Sequence, residues 1–316
     1  MEVLNFEMIR IIVALIGTGA AAYQDYKTSF IDEKIIYLML AAGLFLNLLH
    51  FIITNDLLIV YALIVSIAIL LFGYLFYRKG QLGMGDVLLF VAIQQILPLT
   101  PASLHFLNPI NFQFPDLTGI PDVSPFLLHY MKVFENGIFF ITIFLISSFI
   151  ATLGSSFQYM LALFSSKKPL RPNMLYGATS LLLLIFGGFF LYSMFGLNVL
   201  SALFFLLFVA SAFFLTFREQ ILDQVVIQRI PISRIEDEDI LALERMPKDL
   251  VKKYKLEKVL TAVQVKILKE IQRKEGMKLF PVNKILPRFG PYIFIALLLA
   301  LFFGNIMEII LFLTAR

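Results

Sequence analysis

The stretch "KGQLGMGDVLLF", Lys79 to Phe90, sets a carboxylate, Asp86, at the entrance of an apolar run, just behind Gly83 and Gly85. Whether that run belongs to a soluble or a membrane helix decides the fold. Of the 316 residues, 59% are hydrophobic and only 15% charged, and the mean hydropathy is +0.87. A soluble domain carries about 25% charged residues. The composition therefore predicts a polytopic membrane protein.

Outward from that stretch, apolar segments fall near 4–23, 35–54, 57–77, 85–98, 136–164, 173–195, 197–217 and 289–313. About 20 apolar residues cross the hydrocarbon core, and backbone at that depth must satisfy itself internally. The expectation is an all-α bundle of about eight transmembrane helices, the fourth of them short. The first segment reads as a retained helix, because Glu2 and Glu7 stand where a signal peptide carries basic residues.

Lysine and arginine orient the bundle. With the N-terminus outside, Lys27, Lys34, Arg78, Lys79, Lys167, Lys168 and Arg171 all face the cytoplasm. The outer loops then carry Lys132 and the terminal Arg316, together with Asp56, Asp116, Asp122 and Glu135. The loop at about 99–135, rich in Pro, Asn and Phe, reads as an ordered cap or re-entrant cover. The localisation implied is a multi-pass protein of the cell membrane, with the lipid bilayer as its solvent.

Residues 218–288 break the pattern. They hold 16 of the 26 Lys and Arg against 11 of the 22 Asp and Glu, a local balance of +5. Three units follow: a bundle over 1–217, a small, mostly helical cytoplasmic domain over 218–288, and a last membrane helix over 289–316. "SRIE" (Ser233–Glu236) and "TAVQ" (Thr261–Gln264) both fit capping boxes that open helices. The second helix places Val263, Ile267, Leu268 and Ile271 on one face and stops at Gly276. The basic excess suits either lipid headgroups or a solvated surface obeying the positive-inside rule.

No cysteine is present, which excludes disulfides, thiolate zinc sites and a cysteine nucleophile. His50, His105 and His129 are too few and too scattered for a metal site. Neither a cofactor nor nucleic acid is expected.

Carboxylates in the membrane are the remaining candidates for chemistry. Asp25 ends the first span and Asp86 opens the fourth, so the orientation brings both to the cytoplasmic face. Two carboxylates held close cannot both ionise cheaply, so the pair shares a proton. One member can then deprotonate water while the other polarises a carbonyl, which is aspartyl-protease chemistry. Gly83 and Gly85 give a substrate backbone access to Asp86 and permit dihedrals closed to other residues. The bland alternatives are that Asp86 caps its helix and that Asp25 pairs with Lys27. Asp32 competes with Asp25 as the first acid, but its place before the second span suits an N-cap, with Glu33 in the first turn. Glu308 falls on the outer side, away from both.

These residues resemble the membrane aspartyl proteases of the G-x-G-D type, which include prepilin peptidases, archaeal preflagellin (prearchaellin) peptidases and presenilin-like proteases. "GMGD" matches that signature. "QDYKTSFIDEKI" reproduces the D-x-[KR]-T pattern of the prepilin peptidase group with Asp25, Lys27 and Thr28. "RFGPYIFIALLLALFFGN" (Arg288–Asn305) resembles that group's Pro-Phe-x-Pro entry to a late helix, and the basic insert before it looks like the archaeal branch. The first hundred and last hundred residues carry the likeness; 99–217 match by topology alone. Presenilin-like proteases fit less well, because their Tyr-Asp and Pro-Ala-Leu motifs are not in place. The resemblance implies a cofactor-free aspartic endopeptidase with Asp25 and Asp86 as the catalytic pair. Its substrates would be pilin- or archaellin-like precursors with a short basic leader and a hydrophobic stem. Bacterial members that also N-methylate their product often carry a cysteine-bearing loop, so peptidase activity alone is expected. The competing readings are a proton- or cation-coupled transporter using the same aspartates, and a non-catalytic membrane scaffold.

Overall fold

The computed structural model describes residues 2–55, 58–98, 101, 125–166, 169–236, 239–283 and 288–304. Its helices are α1 (Glu2–Thr28), α2 (Glu33–Thr54), α3 (Leu58–Arg78), α4 (Met84–Ile96), α5 (Pro125–Ser165), α6 (Met174–Phe195) and α7 (Val199–Ile221). A smaller unit follows, and α10 (Gly290–Phe303) returns to the bundle. Among the described residues, six helices are long and apolar enough to cross a membrane: α1, α2, α3, α5, α6 and α7. The chain is a multi-pass membrane protein.

The quoted stretch turns out to be the hub. At 13 residues, α4 is about 20 Å long, short of the roughly 30 Å hydrocarbon core. It packs against α1, α2, α3 and α5. Val87 and every residue from Leu89 to Ile96 are buried, so its apolarity comes from facing protein on nearly all sides. At Gly43 of α2, an added Cβ would stand 2.8 Å from the Gln95 carbonyl carbon, so the two backbones nearly touch.

A short buried helix exposes its last carbonyls to apolar surroundings, and polar side chains cover them here. Arg10 Nη1 donates to the Ile96 carbonyl at 2.7 Å, and Asn47 Nδ2 donates to that of Gln95 at 2.9 Å. Gln95 Nε2 in turn donates to Ser66 Oγ at 2.8 Å and to the Ala62 carbonyl at 3.2 Å. A cation at this end also complements the helix dipole.

On the other side, α10 packs on α1 and α5, while α6 and α7 form a hairpin attached through α7 to α5. Ser180 Oγ donates to the Ala212 carbonyl at 3.0 Å inside that hairpin.

The loop expected over 99–135 is partly helix, because α5 already begins at Pro125. Residues 102–124, Lys167, Lys168 and Glu308 lie outside the described residues.

The small unit adds a three-stranded sheet to the helices expected there. A π-helical turn (Leu222–Val226) leads from α7 into β1 (Ile227–Pro231), and β2 (Ile240–Leu241), α8 (Lys248–Tyr254), α9 (Ala262–Glu275) and β3 (Leu279–Asn283) follow. The strands form an antiparallel sheet in the order β1-β3-β2. Leu241, Leu260, Leu268, Ile271, Phe280 and Val282 fill its core. No α-helix opens at Ser233: Ile232–Arg234 is a single 3-10 turn off the end of β1. Thr261 does cap α9, accepting from the Gln264 N–H at 3.3 Å, and α9 ends at Gly276 with φ +69. Val263 is 65% exposed rather than on the buried face, where Gln264 takes the inward position instead.

Candidate active site

Asp25 lies in the last turns of α1 and is 6% exposed. Its Oδ2 accepts a hydrogen bond from the Gly290 N–H at 2.9 Å, across the junction between α1 and the start of α10. Gly290 leaves little room there. An added Cβ would stand 3.0 Å from Asp25 Oδ2 and 3.1 Å from Asp25 Cβ. Arg288 fixes the same junction, with Nε donating to Ser29 Oγ at 2.9 Å, Nη1 donating to the Tyr26 carbonyl, and the guanidinium 5.6 Å from the Tyr26 ring centroid.

Asp86 occupies the first turn of α4, half-buried, and its Oδ2 accepts from the Gly83 N–H at 3.3 Å. That bond makes Asp86 a helix cap, so the bland reading of this residue also holds. The cap leaves its carboxylate on a helix that packs against α1, whose last turns carry Asp25. The bond to Asp25 comes from Gly290 and not from Lys27, which is exposed.

The glycines work through space and not through unusual dihedrals. Gly83 has φ −70 and ψ 149, open to any residue. An added Cβ there would meet Asp86 Oδ2 at 3.0 Å, so the missing side chain leaves room for the carboxylate. At Gly85 it would meet Ile31 Cβ at 3.5 Å, an ordinary contact. The left-handed residue is Gly80, φ +63, which ends α3: its N–H donates to the Tyr77 carbonyl at 2.7 Å and that of Gln81 to Phe76 at 3.0 Å.

Thr28 Oγ1 donates to the carbonyls of Gln24 and Phe30, both at 2.9 Å, shaping the turn after α1. Asp32 is the N-cap of α2, accepting from the Lys34 N–H at 2.9 Å, and its own N–H donates to Gln24 Oε1 at 2.7 Å. It serves the turn and leaves Asp25 as the buried acid. Gly290 was legible only as part of a helix-entry motif, because no local pattern says which acid its N–H will meet. Among the described residues no cluster of His, Asp or Glu suits a metal.

Two acids thus come from separate apolar helices that pack together, Asp25 from the last turns of α1 and Asp86 from the glycine-flanked start of α4. Residues 12–156 match the model of the type IV leader peptidase family, the group that the motifs resemble. The chain is 28% identical over 142 residues to prepilin peptidase EppA of Methanothermobacter thermautotrophicus. That match covers 42% of this chain and 37% of the relative, so the chain spans little over a third of that protein's length. No solved structure matches. The matched region holds Asp25, Asp86 and α1 to most of α5, including part of the middle that motifs alone did not reach. Gly290 lies outside it.

Proposed function

We propose that this protein is an aspartic endopeptidase that removes leader peptides from prepilin- or preflagellin-like precursors. The observation that carries it is that the stretch matching the leader-peptidase family holds Asp25 at the end of α1 and Asp86 at the start of α4, two helices that pack together. The pair holds one proton. The ionised carboxylate takes a proton from water as the water oxygen attacks the scissile carbonyl carbon; the protonated one donates toward the carbonyl oxygen. Collapse of the tetrahedral intermediate expels the amine, which receives the proton taken from water.

In this reading eight helices cross or enter the bilayer, the N-terminus lies outside, and residues 218–288 are cytoplasmic. The basic residues at the α1–α2 and α3–α4 turns support that orientation. Both acids then lie where a precursor's hydrophobic stem meets its basic leader. Thr28 shapes the turn beside Asp25 through its two hydrogen bonds, Lys27 stands exposed next to it, and Gly83 and Gly85 keep the approach to Asp86 low.

The test is a precursor with a basic leader and a hydrophobic stem, incubated with membranes containing the protein. The intact protein shortens it; Asp25→Asn and Asp86→Asn insert normally and leave it whole. Cleavage surviving in either variant sinks the assignment, and loss in Asp32→Asn with survival in Asp25→Asn moves the first acid to Asp32.

A further inference from the structure

The small unit over 218–288 touches the elements that carry both acids. Ile240 of β2 is 9% exposed, yet it lies outside the unit's own core, which Leu241 enters from the opposite face. Its side chain instead meets the turn that precedes Asp86. A Cβ added at Gly80 would stand 3.2 Å from Ile240 Cδ1, 3.3 Å from Ile240 Cγ2 and 3.5 Å from Lys258 Cδ. On the other side, Ile240 pairs in register with Asn283, the last residue of β3. Arg288 and Gly290 follow a few positions later and grip the end of α1 at Tyr26, Ser29 and Asp25. A third brace holds the unit to the end of α7: Arg245 Nη2 meets Glu219 Oε2 at 2.5 Å and Arg245 Nε meets Asp223 Oδ1 at 2.7 Å.

We infer that the β2–β3 pair is a clamp that sets the spacing of Asp25 and Asp86, with Ile240 and Gly80 as positioning residues at its joint. This rests on the aspartic-peptidase reading above. Ile240 packs away from its own core onto the turn that leads into α4, so it holds that turn.

The absence of native cysteine makes the spacing measurable. Spin labels on Lys27→Cys and Lys79→Cys, both exposed positions, flank the two acids in the full-length protein in nanodiscs. The native joint gives a narrow distance distribution. Ile240→Ser, which empties the joint and spares the unit's core, and Ile240→Phe, which overfills it against Gly80, each broaden or shift it. In unlabelled protein the same substitutions lower kcat on the order of 10- to 100-fold. KM stays within about 2-fold, since substrate binding is left alone. Unchanged distances, or unchanged kcat, in both variants overturn the clamp. The peptidase reading fails separately, by cleavage persisting in Asp25→Asn or Asp86→Asn.

Discussion

Gly290→Ala is the sharpest perturbation of the site, because the contacts fix its size. The new methyl would stand 3.0 Å from Asp25 Oδ2, 3.1 Å from Asp25 Cβ and 3.4 Å from the Ala22 Cα. Only the carboxylate oxygen can swing away; Asp25 Cβ and the Ala22 backbone move only if α1 and α10 separate. Relief therefore requires a shift of a few tenths of an ångström, and it stretches the 2.9 Å bond from the Gly290 N–H. Overpacking of this kind costs about 1–3 kcal/mol. A misplacement of 1 Å can cost about 100-fold in rate, so a shift of several tenths implies a kcat loss of about 10-fold, or about 1.4 kcal/mol. Precursor cleavage under saturating and limiting substrate separates kcat from KM, and thermal unfolding in nanodiscs reports the packing cost. Gly290→Val, with a larger clash, loses more. An alanine variant with native kcat would refute the claim that this glycine sets the position of Asp25.

The other predictions concern the supports of the site and the small unit. Gln95→Leu removes the side-chain partner of Ser66 Oγ and of Asn47 Nδ2 inside the bundle and lowers stability by about 1–3 kcal/mol, read as a lower unfolding temperature. Arg10→Leu removes both the donor to the Ile96 carbonyl and the cation at the C-terminus of α4; it destabilises more than Arg10→Lys, in the same assay. Arg288→Gln loosens the hold on Tyr26 and Ser29 and lowers kcat, and Arg288→Lys recovers only part because it cannot form the same fork. Lys253 Nζ lies 2.6 Å from Glu275 Oε1, and that bond holds the Glu275 carboxyl below its ordinary value of 4.5. A depressed folded value contributes stability above pH 4.5 that is lost as pH falls through it. Glu275→Gln therefore flattens the acid side of the stability profile of the full-length protein; an unchanged slope removes this pair as a contributor.

Much of the bundle was legible because spanning segments are written as uninterrupted apolar runs. The starts and stops of helices were legible where a local hydrogen bond made them, as with Asp32 before α2 and Thr261 before α9. Local signals failed where partners are distant. Ser233–Glu236 has the letters of a capping box, but pairing of β1 with β3, some fifty positions later, took the preceding residues into a sheet. Val263 fits an apolar stripe, yet the neighbouring elements of the unit cover a different strip of α9.

Residue types alone determined that the chain lives in a membrane, that thiolate chemistry is absent, and that Asp25 and Asp86 are the carboxylates to watch. Those conclusions need only the free energy of transferring side chains and the spacing of a short motif. Tertiary structure decided the rest. It made α4 a buried hub, gave Gly290 to Asp25 as a hydrogen-bond donor, and set Ile240 against the turn before Asp86. The reason is that each of these pairs joins residues tens to hundreds of positions apart. Such contacts follow from how whole helices and strands pack, and no local pattern of residue types encodes which ones will meet.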